Sequence, residues 1–360
     1  MDIIEFAKAH NYTLTPVQRF ALKAIYGLPL DGTAGFHVRT GWREKDPILE
    51  MTEVQYAAHL YREGRCNQAE FAPNEDTREV FLSAGRRGGK DHLIGLIATY
   101  EGYRHTQTES HSEMWNPWVL VLAPNLDMAQ NTYNNVLDVI EGSETLAPYV
   151  ANQRSDMVRL QTKQDIERHG PWVGSRRQAH ASVHVGYRAA LPNRLRGLDL
   201  HFAVLNEFAH FADASAEDVL QMILPPMARH AGRSFLLVVS SPSLEPHNTF
   251  RRAFENVRPP ALSLMIPTWE MNPEVPSETL EQAYQMQGHQ VFTAEYGGRF
   301  FDRPEIPIEA ELNRRLHYLA EQASMPYETL VHCVLEGWVE GAWPELDNPV
   351  AIRERLGLSR

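Results

Sequence analysis

The amino-acid sequence predicts an α/β fold with a mostly parallel central sheet covered by helices on both faces. An apolar strand at 79–84 runs through a Gly- and Arg-rich turn into a helix. Along most of the chain, apolar strand-like runs then alternate with helical patterns. Such alternation is typical of parallel sheets. With 360 residues, of which 43% are hydrophobic, the chain can form a sizeable core and two or three domains.

Charge and cysteine content restrict the class of protein. The formal net charge of −12 argues against a body that coats itself with nucleic acid, so phosphate contacts are expected from local patches. Cys66 and Cys333 have neither pairing nor metal-ligand spacing. The sequence shows no signal-like N-terminal run and no apolar run of membrane length. We therefore expect a reducing, cytoplasmic setting and no membrane partner.

Residues 1–76 are predicted to form two short helices followed by an insertion or lid. Thr15 and Pro16 fit the N-cap and the first position of the second helix. Gln18 follows, and its amide could read adenine because it donates and accepts at once, although an exposed helical Gln is the alternative. The region 31–77 is polar and irregular, apart from a helical piece at 51–65.

The turn at 85–91 has the composition of a phosphate-binding loop. Its characteristic residues are three glycines and a lysine, Gly85, Gly88, Gly89 and Lys90. The glycines let several backbone N–H groups point inward, while the lysine and the helix N-terminus add positive charge. The match to G-x-x-x-x-G-K-[ST] is imperfect, because Ala84 replaces the first Gly and Asp91 replaces the hydroxyl residue that would touch Mg²⁺. A turn that caps an ordinary helix is the alternative.

The rest of the core, to residue 302, continues the strand–helix alternation. Strands are predicted at 118–123, 181–188, 200–207, 234–242 and 262–267. A helix that starts at a proline is predicted at 124–142, and a further helix at about 215–227. Residues 143–180 are polar. Their arginines, Arg168, Arg176 and Arg177, are interpreted as a solvated face.

A second chemical signal is Asn206-Glu207, at the end of the apolar strand that begins at Leu200. An acidic pair at such a strand end belongs beside a phosphate loop. There the first residue normally holds Mg²⁺, and the second aligns and deprotonates the water that attacks the γ-phosphate. Asn206 departs from this pattern because it is neutral. An ordinary Asn-Glu turn is the alternative.

The order of the motifs resembles the ATPase part of the large terminase subunit, the DNA-packaging motor of tailed bacteriophages. The similarity extends over about residues 10 to 302. It is carried by TPVQ at 15–18, AGRRGGKD at 84–91, APNLDMAQ at 123–130, RGLDLHFAVLNE at 196–207, SSPS at 240–243, and PTWEMNP with EYGGRF within 267–300. The resemblance implies a RecA-like P-loop ATPase that uses ATP and Mg²⁺.

The resemblance also implies roles for individual residues. Lys90 would hold the β/γ-phosphates, Glu207 would be the catalytic carboxylate, and Gln18 would contact adenine. Arg86 would stabilise transition-state charge, with Arg87 as its backup. Two further sets complete the implied site: the ATP-binding residues Gly85, Gly88, Gly89 and Asp91, and the coupling residues Ser240 and Ser241, which would sense the γ-phosphate and transmit its loss.

Asp91 and Asn206 are also the predicted metal-site residues. In the ordinary pattern a hydroxyl follows the lysine and an Asp ends the later strand. Here the acidic and neutral residues are exchanged. We therefore hypothesise that the two departures compensate each other and that the site is active. A helix-capping Asp91 in a decayed enzyme is the alternative.

Only 58 residues follow Asp302, so the nuclease domain usual in that family is not expected here. The tail at 303–360 reads as a short strand and two helices. This order resembles a ribbon-helix-helix module, which dimerises through its strands and reads DNA with them. A helical hairpin is the alternative, and acidic Glu309 weakens the DNA interpretation.

The predicted function is ATP-driven translocation of double-stranded DNA into a phage capsid, without nuclease activity. A ring of identical subunits in the host cytoplasm is expected. The portal protein, the small terminase subunit and a separate nuclease chain are further expected partners. The alternatives are a nucleotide-binding factor that does not hydrolyse, which Asp91 and Asn206 suggest, and a helicase-like P-loop ATPase.

Overall fold

The computed structural model of the chain describes residues 1–71, 78–107, 117–171, 182–195, 197–228, 234–245 and 248–300. Residues 1–301 form one compact unit. The predicted tail at 303–360 lies outside the described residues, and so do Arg176, Arg177 and Arg196. Within the described ranges, no helix is both long and apolar enough to cross a membrane.

The N-terminal region contains three helices and a hairpin: α1 (Ile3–Ala9), α2 (Pro16–Ile25), β1 (Gly35–Arg39), β2 (Ile48–Thr52) and α3 (Glu53–Arg62). Thr15 is the N-cap of α2, as predicted, and its side chain accepts from the backbone N–H of Gln18. The interpretation of 31–50 as irregular was wrong, because β1 and β2 pair with each other in an antiparallel hairpin. Only Phe36 and Val38 of β1 are buried, so the hairpin has a weak apolar pattern.

Eight strands form the central sheet: β3 (Glu79–Ala84), β4 (Pro117–Ala123), β5 (Val150–Gln153), β6 (Met157–Leu160), β7 (Val183–Ala189), β8 (Asp199–Asn206), β9 (Phe235–Ser240) and β10 (Leu262–Ile266). Their spatial order is β10-β3-β9-β8-β4-β7-β6-β5. The pairs from β10 to β7 are parallel, whereas β7-β6 and β6-β5 are antiparallel. The predicted mostly parallel sheet is confirmed.

Helices cover both faces of this sheet: α4 (Lys90–Thr106), α5 (Leu126–Glu141), α6 (Lys163–His169), α7 (Pro192–Leu195), α8 (Asp213–Ala228), α9 (Thr249–Asn256), α10 (Thr268–Met271) and α11 (Ser277–Glu295). Successive side chains of a strand point to opposite faces. Val119 and Val121 of β4 therefore pack in the apolar cluster that contains α4 and α5. Leu120 and Leu122 pack in the cluster that contains α8. The core thus has two layers.

The structure differs from the sequence interpretation in two places. The polar stretch 143–180 contains the strand pair β5-β6 and helix α6, which were not predicted. Arg168 of α6 is exposed, in agreement with a solvated face. Helix α5 begins at Leu126 and not at Pro124, because the side chain of Asn125 accepts from the Met128 N–H at 2.9 Å and caps the helix there.

The sheet order brings three chain segments together at one edge. Strand β9 lies between β3, which leads into the loop, and β8, which ends at Asn206. In parallel strands the carboxyl ends lie at the same edge of the sheet. The loop, Glu207 and Ser240 therefore meet where open α/β sheets usually bind ligands.

Candidate nucleotide-binding site

The backbone of the loop adopts a conformation that suits anion binding. Gly89 is the N-cap of α4 and has a φ of 86°, while Arg87 has a φ of 64°. No side chain caps the start of α4. The first N–H groups of the helix, which have no partner within the helix, therefore remain directed at the space beyond its N-terminus.

Lys90 and Glu207, 117 residues apart, form an ion pair in the site. Lys90 Nζ lies 2.7 Å from Glu207 Oε1, and only 7% and 17% of the two side chains are exposed. Glu207 has a φ of 57°, which is unusual for a residue with a side chain. Backbone strain of this kind persists where the surroundings enforce it, often at functional sites. The turn after β8 thus directs the carboxylate towards the loop.

Ser240, at the end of β9, lies beside this pair. Its Oγ accepts from the Ala209 N–H at 3.1 Å and donates to the Ser241 carbonyl at 2.7 Å. The same oxygen lies 3.5 Å from Glu207 Oε2. Ser240 and Ser241 are both buried. Ser240 therefore lies close enough to Glu207 for a movement of the carboxylate to affect the Ser240 side chain directly.

Asp91, Asn206 and Thr132 form a hydrogen-bonded cluster on the other side of the α4 N-terminus. Asn206 Nδ2 donates to Asp91 Oδ1 at 2.9 Å and to Thr132 Oγ1 at 2.8 Å. Thr132 Oγ1 in turn donates to Asp91 Oδ1 at 3.0 Å, and the Met128 carbonyl lies 3.2 Å from the same hydroxyl. Thr132 and Asn206 are each 2% exposed. The two anomalous positions are thus in direct contact, and Thr132 of α5 is a third member.

Thr132 was not found by sequence reasoning. It lies within the helical pattern that follows APNLDMAQ, and a threonine in a predicted amphipathic helix carries no local chemical signal. Its proximity to Asp91 and Asn206 arises only when β4, β8 and the loop come together.

The cluster fits a magnesium ion held by one carboxylate. Mg²⁺ usually takes one or two carboxylates together with substrate phosphates and waters. Asp91 supplies such a group at the first turn of α4. Asn206 donates both amide hydrogens, and its Oδ1 accepts from the Glu207 N–H at 3.0 Å, so its contacts orient Asp91. The roles of Asp91 and Asn206 at a metal site stay predictions.

Gln18 contacts the loop from outside. Its side chain is 8% exposed. Oε1 accepts from the Thr15 N–H at 3.1 Å, which completes a capping box, and Nε2 donates to the Gly88 carbonyl at 3.2 Å. The structure brings Gln18 to the loop as the sequence suggested. Its contact with adenine stays a prediction.

The two loop arginines have exposed side chains. Arg86 Nη1 lies 3.4 Å from Glu295 Oε2, and 58% of the arginine side chain is exposed. An ion pair this open to water contributes little, so the arginine is free to change partners. Arg87 stands next to it with a left-handed backbone. Their predicted roles in stabilising transition-state charge stay predictions.

One family model matches the sequence. A family model described as the N-terminal P-loop domain of the uncharacterized protein MJ0330 matches residues 43–293, which is more than half of the chain. The chain belongs to this MJ0330 N-terminal P-loop domain family. The matched range includes the loop, Glu207 and Ser240 but not Gln18. The MJ0330-type fold confirms the predicted P-loop domain, and such a fold implies nucleotide binding.

Solved structures of similar fold come from phage terminases. A mutant of the large terminase ATPase domain of a Thermus phage has a TM-score of 0.50 at 19% identity, and the match covers 63% of this chain and 90% of that one. The same domain in another structure gives a TM-score of 0.49 at 20% identity, with the same coverage. A large terminase of a thermophilic bacteriophage in complex with ADP gives 0.43 at 10% identity, covering 64% of this chain and 50% of that one.

The expected resemblance to terminase ATPase domains is confirmed at the level of the fold by the first of these structures. At this identity the similarity concerns the fold alone. No curated protein matches the sequence.

Proposed function

We propose that the chain is an ATPase that couples ATP hydrolysis to the translocation of double-stranded DNA, as the motor subunit of a phage packaging machine. The observation that carries the proposal is the 2.7 Å pair between Lys90 Nζ and Glu207 Oε1. It joins the lysine of a phosphate-binding loop to a carboxylate at the end of β8, with β9 between the two strands. Phosphate-bond hydrolysis uses a lysine that binds the β/γ-phosphates and a residue that positions or activates the attacking water, and this pair can supply both.

In this proposal, each of the two residues has one task. Lys90 binds the β/γ-phosphates, because its ammonium is a point charge at the N-terminus of α4. Glu207 accepts a proton from the attacking water, and its carboxylate is free to do so once the phosphates replace it as the partner of Lys90. In the structure the pair keeps both charges compensated in a largely buried site.

The neighbouring residues hold the geometry around the phosphates. Asp91, oriented by Asn206 and Thr132, would hold Mg²⁺ with the phosphates and water. A bound Mg²⁺ supplies neutralisation of the charge that develops on the phosphate oxygens. Arg86 adds positive charge from the loop. Ser240, whose Oγ lies 3.5 Å from Glu207 Oε2, transmits the loss of the γ-phosphate to β9.

The assembly around this site belongs to the same proposal. Double-stranded DNA is the translocated substrate, and the working form is a ring of identical subunits in the host cytoplasm. The portal protein and the small terminase subunit are the proposed partners. We also propose that these 360 residues move DNA without cutting it and that a separate nuclease chain is a further partner. Purified protein with Mg²⁺ or Mn²⁺ should therefore leave plasmid DNA intact.

ATP turnover of the purified chain, with and without duplex DNA, tests the proposal. We expect turnover that duplex DNA stimulates, and its loss in Lys90→Ala. Lys8→Ala, which removes an exposed lysine of α1, should keep the wild-type rate. Displacement of a triplex-forming oligonucleotide from duplex DNA measures translocation separately. Protein that neither binds nor hydrolyses ATP would contradict the proposal.

One observation favours a second candidate, a nucleotide-binding assembly factor that does not hydrolyse ATP. Asn206 replaces the usual carboxylate, and its amide is used on Asp91 and Thr132. Tight ATP binding without turnover, in the presence and absence of DNA, would select this candidate.

A further inference from the structure

Three side chains from outside the loop donate to three consecutive carbonyls of the loop. Thr268 Oγ1 donates to the Arg86 carbonyl at 2.7 Å. Asn272 Nδ2 donates to the Arg87 carbonyl at 3.1 Å. Gln18 Nε2 donates to the Gly88 carbonyl at 3.2 Å. We call Gln18, Thr268 and Asn272 the loop clamp.

The loop clamp determines where the N–H groups of the loop point. A trans peptide is planar, so its N–H points away from its carbonyl. Holding the Arg86 and Gly88 carbonyls outward therefore turns the N–H groups of Arg87 and Gly89 inward. The intervening N–H, of Gly88, donates to the Gly85 carbonyl at 3.0 Å and closes the turn. Inward N–H groups in such a turn form a concave site for anions.

The part of the loop clamp on α10 is firmly anchored. Between Thr268 and Asn272, the carboxylate of Glu270 is 4% exposed and accepts from Arg65 at 2.9 and 2.6 Å and from the Tyr56 hydroxyl at 2.5 Å. A bidentate, buried contact of this kind fixes the orientation of both partners. Helix α10 is therefore held by Tyr56 of α3 and by Arg65, three residues after the end of α3.

The loop also lies in direct contact with this anchor. A Cβ atom added to Gly85 would come within 2.3 Å of the Tyr296 carbonyl oxygen and 2.4 Å of Thr268 Oγ1. Thr268 is fully buried, and its own N–H donates to the Tyr296 carbonyl at 2.8 Å. The hydroxyl of Thr268 thus has little freedom to leave the Arg86 carbonyl.

We propose that Thr268 and Asn272 are positioning residues for the phosphates of the nucleotide. They hold the loop in its anion-binding conformation before a ligand arrives, so that binding does not have to order it. This deepens the proposed function, on which it rests, and gives PTWEMNP a physical role. Thr268 and Asn272 act on the binding of the polyphosphate and leave recognition of the base unchanged.

The test measures affinity for ADP and for inorganic pyrophosphate by calorimetry, which requires no turnover. Thr268→Val keeps the shape of the side chain but removes the donor, and Asn272→Ala removes the other donor. Each should weaken both ligands about threefold to tenfold, as expected for one net hydrogen bond. Thr268→Ser keeps the hydroxyl and should bind like wild type. The preference for ATP over GTP should not change.

Thr279→Val is the matched control, since it makes the same chemical change in the first turn of α11. Wild-type affinity in Thr268→Val and Asn272→Ala would overturn the proposal. Equal weakening in Thr268→Ser and Thr268→Val would also overturn it, because packing alone would then explain the loss. If Thr268→Val does not fold, the half-buried Asn272 decides the question. Failure of the proposed function gives a different result. In that case the wild-type protein would not turn over ATP, whereas the present test compares the affinities of variants for ADP and pyrophosphate.

Discussion

Lys90 and Asp91 are neighbours in the chain, but their side chains enter two regions with different charge arrangements. The first region contains a pair of opposite charges, Lys90 and Glu207, 2.7 Å apart. In the second, one carboxylate, Asp91, accepts from the neutral groups of Asn206 and Thr132. The first region follows the ordinary pattern of a P-loop ATPase, whereas the second exchanges its acidic and neutral positions.

From this difference we expect the two regions to tolerate substitution differently. A lysine and its partner carboxylate have fixed charges, and exchanging them would place a negative charge among the phosphates. In the second region, a donor and an acceptor meet across one 2.9 Å contact, and either side could supply the carboxylate. Two carboxylates there would repel each other, and two neutral groups would leave the proposed Mg²⁺ without a charged protein ligand from this cluster.

The largest expected effect lies in the first region. Glu207→Gln keeps the shape of the side chain but cannot accept a proton, so turnover should fall by at least about 100-fold. Nucleotide binding, measured by calorimetry, should persist. Glu245→Gln, on an exposed loop, is the control and should turn over ATP at the wild-type rate. Unchanged turnover in Glu207→Gln would show that Glu207, and with it the first region, does not carry the catalytic step.

A smaller but more diagnostic effect is expected in the second region. Asp91→Ser removes its only carboxylate, and Asn206→Asp brings two carboxylates into contact. Each should lower turnover about tenfold, within the range for coupled neighbours, and the double mutant should recover most of the rate. Steady-state rates of the four proteins form the cycle. Losses that simply multiply, without recovery, would show that Asp91 and Asn206 do not compensate.

The parallel core could be predicted because its strands are continuous apolar runs between turn signals. Strand β4, for example, is buried at all of its residues. The hairpin β1-β2 and the strand pair β5-β6 could not, since they are four or five residues long and only partly buried. Short strands at an edge carry too little hydrophobic periodicity to stand out from loops.

The candidate site divides in a similar way. Lys90, Glu207 and Ser240 each follow or end a recognisable strand, so their meeting at one edge was predictable from a parallel sheet. Thr132 and Thr268 were not found, because a hydroxyl acts here through its neighbours. Those neighbours, Asp91 and the Arg86 carbonyl, come from distant segments of the chain. The local sequence does not reveal these contacts, because the hydroxyls reach their partners only in the folded structure.

The smallest predicted loss of turnover concerns Thr132, which links Asn206 to Asp91. Thr132 Oγ1 accepts from Asn206 at 2.8 Å and donates to Asp91 at 3.0 Å. Thr132→Val removes this link and leaves the charge of Asp91 unchanged. Asp91 then loses one of its two orienting donors, and the buried amide of Asn206 loses an acceptor. We expect turnover to fall about threefold to tenfold, as for the loss of one net hydrogen bond.

Magnesium dependence separates an effect on the second region from a loss of packing. If Thr132 orients Asp91, Thr132→Val should require more Mg²⁺ for half-maximal turnover, while its affinity for ADP measured without metal stays at the wild-type value. Thr132→Ser keeps the hydroxyl and should restore the wild-type magnesium requirement. Thr99→Val removes another buried hydroxyl, one that donates to the Val136 carbonyl, and serves as the control. A changed magnesium requirement in Thr99→Val as well would mean that packing between α4 and α5, and not the link to Asp91, sets the metal site.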